Sequence, residues 1–401
     1  MNFAGMTTRP LRECGRLYSG GTPSKSDESL WSGSLPWFSS KEIKSFELSD
    51  SELHVAERAA SNGTTIVPAG TVLFVVRGMS LANEFRVGVT TRPATFNQDV
   101  KALVPASDVD GRYLARYLRW MEPQILDATE SSTHGTKRLP TEAFDRLPIP
   151  LPVLEDQRRI AAILDKADAI RRQRMEAIAL TEELLRSTFL EMFGDPVANP
   201  KSWPVRSITE LCESKQYGTG EKANTEGNGQ PVLRMNNLTY AGDIDLANLK
   251  WANLSARELA KLDLRDGDVL FNRVNSHELV GKTAVWHNGA GFTFAGYLIR
   301  LRMRPELAVG DYVASAMNMP SIKVMLAQLA KPSINMANIS ASDLDRLVVP
   351  LPPLDLQKKL SVLRRSVLAL RDRYQQATKQ DDALFDSLVA RAFSGSLVAA
   401  C

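Results

Sequence analysis

Apolar residues recur along this chain in two rhythms. Short runs of β-branched and aromatic residues, bounded by turn formers, predict strands at 70–76 (GTVLFVV), 100–104 (VKALV), 269–271 (VLF) and 297–302 (YLIRLR). Helical spacing appears at 113–121 and 312–319. Two segments are far longer. From Glu155 to Phe193 there is no proline and no glycine, and Gly194 follows. Steps of three and four pick out Ile160, Ile163, Ala167, Ile170, Arg174, Ala177, Thr181, Leu184 and Thr188. The same steps pick out Leu360, Leu363, Val367, Leu370, Tyr374, Ala377, Asp381, Leu384 and Leu388. That spacing predicts a coiled-coil seam with polar breaks at Arg174, Tyr374 and Asp381, which either fix its register or lie on a solvated or partner-facing edge. Pro152 and Pro352-Pro353 stand just ahead of the helices, acidic residues fill the first turns, and Gly194 and Gly395 stand where C-terminal caps belong. Each helix is a rod of about 58 Å at ~1.5 Å per residue.

The two rods belong to an internal duplication. DRLPIPLPVLEDQ at 145–157 and DRLVVPLPPLDLQ at 345–357 are offset by 200 positions, and the match runs on without a gap through both helices. A weaker echo pairs GTVLF at 70–74 with GDVLF at 267–271. The expected architecture is α+β: two globular α/β domains, 1–150 and 195–350, each followed by a helical segment, 151–194 and 351–401. If each rod separates the two domains, the second helix runs back toward the first domain. The pair is then antiparallel, with a pseudo-two-fold relation between the copies.

Composition narrows the chemistry. At 401 residues, 44% hydrophobic and 24% charged, the chain has the make-up of a soluble globular protein, with no run long enough to cross a membrane. The first residues show no apolar signal core, and Cys14, Cys212 and Cys401 form neither a CxxC pair nor a disulfide framework, which fits the cytoplasm. His54, His134, His277 and His287 lack metal-ligand spacing. Gly281-Lys282-Thr283 resembles the end of a phosphate loop, but Ser276 occupies the glycine position. The Asn/Asp-Pro-Pro-aromatic motif of amino-methyltransferases is missing, and no local motif assembles a nucleophile, base and acid. The expected catalytic set is therefore none, the expected metal set is none, and no cofactor is expected in this chain. The net charge of +3 leaves the question of a polyanionic partner to local clustering.

Such clusters occur at corresponding points of both copies. The first offers Thr22, Ser24 and Lys25, then Lys41, Arg77, Asn97 and Gln98, and finally Thr136, Lys137 and Arg138. The second offers Thr219, Lys222, Arg234, Asn236, Asn237, Asn272, Arg273, Asn275, Lys282, Ser333 and Asn335. Lysine, hydroxyl and backbone amide groups hold phosphates, while arginine pairs with guanine and asparagine or glutamine with adenine. Arg77 and Arg273 both follow the shared strand. A glycine-rich polar loop alone is usually a turn; recurrence in both copies is what points to double-stranded DNA.

On these residues the chain resembles the specificity subunits of type I restriction-modification systems. The carrying motifs are LPIPLPVLEDQRRI at 147–160 with its second copy ending LDLQ at 354–357, FNQDVKAL at 96–103, and DGDVLFNR at 266–273. The resemblance spans nearly the whole chain. It implies two target recognition domains, each reading one half of a split DNA site, and two helices that set the spacing and dock two methyltransferase subunits. Gln157, Arg158, Gln357 and Lys358 are the docking candidates. In that family S-adenosylmethionine, ATP and Mg belong to partner subunits, including the restriction and translocation subunits, and the methylated base is adenine. The second hinge departs from the pattern at Leu356 and Lys358-Lys359. Unlike loop sequences in the two copies, PWFSSK at 36–41 against PVLRMN at 231–236, predict an asymmetric site. Two rival readings remain at this level: a coiled-coil scaffold with no DNA role, and a reader fused to its own methyltransferase.

Overall fold

The computed structural model describes residues 7–131, 136–276, 278–333 and 336–394. Four helices organise it: α1 (Gly111–Trp120), α2 (Leu154–Phe193), α3 (Gly310–Met317) and α4 (Leu354–Phe393). Contacts divide the chain into two compact units, Met1–Gln173 with Ala377–Cys401, and Arg174–Gln376. Each long helix of 40 residues therefore contributes to both units. Gly194 ends α2 with φ +80, a left-handed conformation that costs glycine nothing, and its amide returns to Leu190 O at 2.8 Å. Gly395 lies outside the described residues.

In the first unit a mixed sheet orders Gly15–Ser19, Val100–Pro105, Val72–Val75, Val87–Thr90 and Glu47–Leu48 side by side. Its central strand, Val72–Val75, is buried at every position, as a continuous apolar run requires. The inner row of α1, from Tyr113 to Leu118, belongs to the same core. Ile160, Ala161 and Leu164 of α2 and Ala392 and Phe393 of α4 complete it, with Phe393 stacked edge-on against Tyr113 and Tyr117. Each such fully buried large side chain contributes about 1.5–3 kcal/mol.

The second unit repeats the plan. Cys212–Tyr217, Leu298–Met303, Val269–Asn272 and Thr283–Val285 form its main sheet in the equivalent order. Phe189 and Phe193 of α2 pack on Tyr312 of α3, with Leu360 of α4 in the same core. Both units also carry a three-stranded ribbon: Glu130–Ser131, Lys137–Arg138 and Arg77–Gly78 in one, Lys331–Ser333, Met336–Asn338 and Val274–Asn275 in the other.

The expected seam is half right. Residues 160, 167, 174, 181 and 188 and their counterparts at +200 all lie inward, but of the alternate positions only Ala177 and Ala377 do. Ile163, Ile170 and Leu184, with Leu363, Leu370 and Leu384, are exposed, and the inward row continues instead through 164, 171, 178 and 185. Hydrophobicity misled because the inward places in α4 include Arg364 and Arg371, both buried at 7% exposure by polar contacts that no periodicity shows.

Candidate nucleic-acid interface

The side-chain geometry of the candidate surface follows from the end of one strand pair. In the first unit the Gly21 amide donates to Phe96 O at 2.9 Å and the Asn97 amide to Phe38 O at 3.0 Å. In the second, Thr219 donates to Phe294 O at 2.8 Å and Ala295 to Leu233 O at 2.8 Å. The Gly20 and Gly218 backbones press so close that a Cβ there would lie 2.3 Å from Asn97 O and 2.2 Å from Phe294 O respectively. Val76 N donates to Asp99 O and Arg273 N to Tyr297 O, while Leu139 N reaches Val76 O and Ile339 N reaches Arg273 O, all within 3.0 Å. The backbone bonds thus align Gln98 with Gly296, Asp99 with Tyr297, Ser39 with Arg234, and Arg138 with Asn338. One scaffold carries unlike side chains.

In the first unit these positions carry polar side chains, some of them joined. Thr22 Oγ1 donates to Gln98 Oε1 at 2.7 Å, and Arg77 Nε donates to Asp99 Oδ1 at 2.7 Å. Arg77 lies opposite Arg138 across the ribbon, and Gly78 opposite Lys137. Ser24, Lys25, Lys41 and Arg138 are exposed, while Thr136 and Lys137 are half-buried. Asn97 is an exception: its Oδ1 accepts from Asp99 N at 3.1 Å and it is nearly closed to solvent, so it shapes the turn rather than facing a duplex.

The second unit corrects more of the sequence reading. Thr219 is buried and its hydroxyl caps Glu221 N at 3.0 Å. Asn237 is buried, bridging Arg234 N and Asp245 O. Asn272 is fully enclosed, with neither atom of its amide hydrogen-bonded. Lys282 points inward and donates to Met235 O at 2.9 Å and Leu238 O at 2.6 Å; burial lowers its pKa. None of these four reaches the surface. Arg273 is half-buried, donating to Asn338 Oδ1 at 3.0 Å with its guanidinium 5.1 Å above the Tyr217 ring. It does not correspond to Arg77. The backbone bonds match Arg273 to Val76 and Arg77 to Val274, and a shift of one residue along a strand turns the side chain to the other face. Lys222 and Asn236 are exposed; Arg234 and Asn275 are half-buried, Arg234 donating to Asn248 O at 3.0 Å. Ser333 sits in a ribbon strand, and Asn335 lies outside the described residues. Asn338 was not among the candidates; its contact with Arg273 spans 65 positions, and no local pattern signals it.

Two docking candidates are also corrected. Gln157 and Gln357 are fully buried. Gln157 Oε1 accepts from Asp110 N at 2.9 Å, and its amide donates to Asp108 O and Pro152 O. Gln357 accepts from Val309 N at 2.9 Å and donates to Leu307 O and Pro352 O. Both fasten a helix start to its own globular domain. Arg158 and Lys358 are exposed. Among the described residues no group of three or more His, Cys, Asp or Glu is arranged to hold a metal ion, and no helix is long and apolar enough to cross a membrane.

Fold and surface together define a duplicated α+β protein with a polar edge on each unit. Residues 4–180 match the family described as "Type I restriction modification DNA specificity domain". The specificity subunit of the type I restriction enzyme EcoR124I/EcoR124II of Escherichia coli is 30% identical over 183 residues, 45% of this chain and 45% of its own length. That of EcoKI, from Escherichia coli strain K12, is 26% identical over 276 residues, 64% of this chain and 59% of its own. The chain thus matches about half the length of these curated relatives. The crystal structure of the type I restriction-modification system S subunit from M. genitalium covers 98% of this chain, and this chain 97% of it, with a TM-score of 0.64 at 15% identity. Over residues 4–180 the chain is thus similar to the specificity subunits of type I restriction-modification systems.

Proposed function

We propose that this chain is the non-catalytic DNA-recognition subunit of a type I restriction-modification complex, and that each unit reads one half of a bipartite, asymmetric site. The observation that carries the reading is the matched scaffold with unmatched side chains: Gln98 against Gly296, Asp99 against Tyr297, Arg138 against Asn338. Two frames of one shape present unlike donors and acceptors, as two different half-sites require. In the four-part division, 1–150 and 195–350 are the target recognition domains. The helical segments 151–194 and 351–401 form an antiparallel coiled-coil spacer that sets the distance between half-sites. The exposed rows Ile163, Ile170, Leu184 and Leu363, Leu370, Leu384, flanked by Arg158 and Lys358, are the surface offered to two methyltransferase subunits. S-adenosylmethionine, ATP and Mg act on the partners, among them the restriction and translocation subunits, in the cytoplasm.

Methylome sequencing of a host carrying the intact system, with and without this gene, tests the reading. Adenine methylation at a split motif with two dissimilar halves, present only with the gene, is the expected result. A gene-independent methylome rejects it.

A further inference from the structure

The backbone and amide bonds that seat each globular domain on its long helix are interchangeable between the units. Tyr113 and Tyr312 donate their hydroxyls to Pro150 O and Pro350 O, each at 2.7 Å. Gln157 and Gln357 make the same set of bonds one turn into the helix. Nothing in this shared seat distinguishes α2 from α4.

The ion pairs beside it do. In the first unit the residue preceding the tyrosine is Arg112, and it pairs with Asp165 of α2. Arg116, one turn on and 4% exposed, reaches Asp165 at 2.8 Å and Asp168 at 3.0 Å. In the second unit the residue preceding the tyrosine is Asp311, 1% exposed, and the partners on α4 are Arg364 at 3.4 Å and Arg365 at 3.8 Å. Ser361 of α4 also bonds the Asp311 carboxylate, and His287 approaches it at 3.0 Å. The tyrosines align Arg112 with Asp311, and the glutamines align Asp165 with Arg365. The same two positions carry an ion pair with its charges reversed, hydrogen-bonded in the first unit and at 3.8 Å in the second.

We propose that this reversal is a code: each domain accepts the start of its own long helix and rejects that of the other, whether in the same chain or in a second copy. Were α1 to seat on α4, Arg112 and the enclosed Arg116 would face Arg364 and Arg365. Were α3 to seat on α2, the enclosed Asp311 would face Asp165 and Asp168. Both mismatches set like charges against a side chain closed to solvent, Arg116 or Asp311, in place of its ion pair, leaving Arg112 only Glu47 and Asp311 only His287 of their own units, a penalty larger than that of a surface repulsion. A tandem duplication needs such a device, because its two seats are otherwise alike and domain exchange between copies is a low-cost error. The proposal does not depend on what the candidate surfaces bind.

Transplanting the clasp tests it on the full chain. In the matched-code chain D311R/S315R/R364L/R365D the second unit carries the first unit's residues; in R112D/R116S/L164R/D165R the first carries the second's. A third chain combines all eight changes and so exchanges the codes while keeping them distinct. Each is refolded from denaturant and resolved by size-exclusion chromatography with light scattering. The proposal expects the two matched-code chains to give a severalfold larger dimeric fraction than the parent, or to fail to refold, while the exchanged chain behaves as the parent does. Matched-code chains that refold with the parent's dimeric fraction overturn it. So does an exchanged chain that dimerises or misfolds as much as the matched ones.

Discussion

Tyr113 donates its hydroxyl to the carbonyl of Pro150 across 2.7 Å, and both partners are closed to solvent. The proline can make no amide bond of its own, and the strand Pro148–Pro150 pairs on one side only, with Thr8–Pro10. The tyrosine satisfies a carbonyl that the edge leaves over, at the point where chain turns into helix. Tyr312 does the same for Pro350. Removing either hydroxyl leaves a buried acceptor unpaired while the ring still packs. Tyr113→Phe and Tyr312→Phe should each cost about 1–2 kcal/mol, read from the midpoint of denaturant unfolding followed by circular dichroism. A midpoint unchanged in both variants contradicts this account of the hinge.

The glutamines yield a sharper contrast. Gln157→Ala strands the Asp110 amide and two carbonyls in the interior, so a loss of about 2–3 kcal/mol is expected. Arg158→Ala, one residue on and exposed, should change stability by less than about 0.5 kcal/mol. If Arg158 docks a methyltransferase subunit as proposed, pull-down of that subunit separates the two residues in the opposite sense: Arg158→Ala weakens capture, and Gln157→Ala, assayed below its melting temperature, does not.

What the sequence disclosed and what it withheld divide along a physical line. The repeat, the helix bounds and the buried strands were legible because each depends on local spacing: Val72–Val75 reads as a continuous apolar run, and α2 and α4 start one residue before their expected first turn. Burial of polar side chains was not legible. Lys282 and Lys25 look alike in sequence, yet one is sealed against two carbonyls contributed 44 and 47 positions away and the other is exposed. Arg77 and Arg273 both follow the shared strand, and only cross-strand register shows that they face opposite ways. The clasp between α3 and α4 was invisible for the same reason, since 53 positions separate Asp311 from Arg364.

That division sets a prediction for DNA binding. Lys25 and Lys222 are exposed and follow corresponding glycine-bearing turns, and the proposed function makes them phosphate contacts. Alanine at either should reduce the slope of log K against log salt by about 0.9, weakening all sequences alike. Lys282→Ala should leave the salt slope unchanged and lower the melting temperature instead. Fluorescence anisotropy across a salt series, with the assembled methyltransferase complex, reads both; a salt slope that falls with Lys282→Ala and not with Lys25→Ala reverses the assignment.

His287 supplies a prediction in pH. Burial by itself pushes its imidazolium pKa down, but hydrogen bonds from the ring to Asp311 at 3.0 Å and Asp266 at 3.0 Å outweigh that, and Arg365 only partly opposes them, so the folded value is raised. A raised value means that the folded state holds the proton more tightly than the unfolded chain. The stabilisation is fully present below the unfolded value of about 6.5 and is lost as pH climbs through the folded one. Asp311, held below the ordinary carboxylate range by the same pair despite its burial, contributes in the opposite direction and only at lower pH. The second unit should therefore lose stability progressively from near neutrality upward. His287→Gln, which keeps a donor toward Asp311 but cannot titrate, should abolish that decline without removing the acid-side loss. Thermal melts of the two proteins in parallel buffers from acid to mildly alkaline pH measure the difference directly; identical slopes above neutrality would show that the imidazolium contributes nothing to the fold.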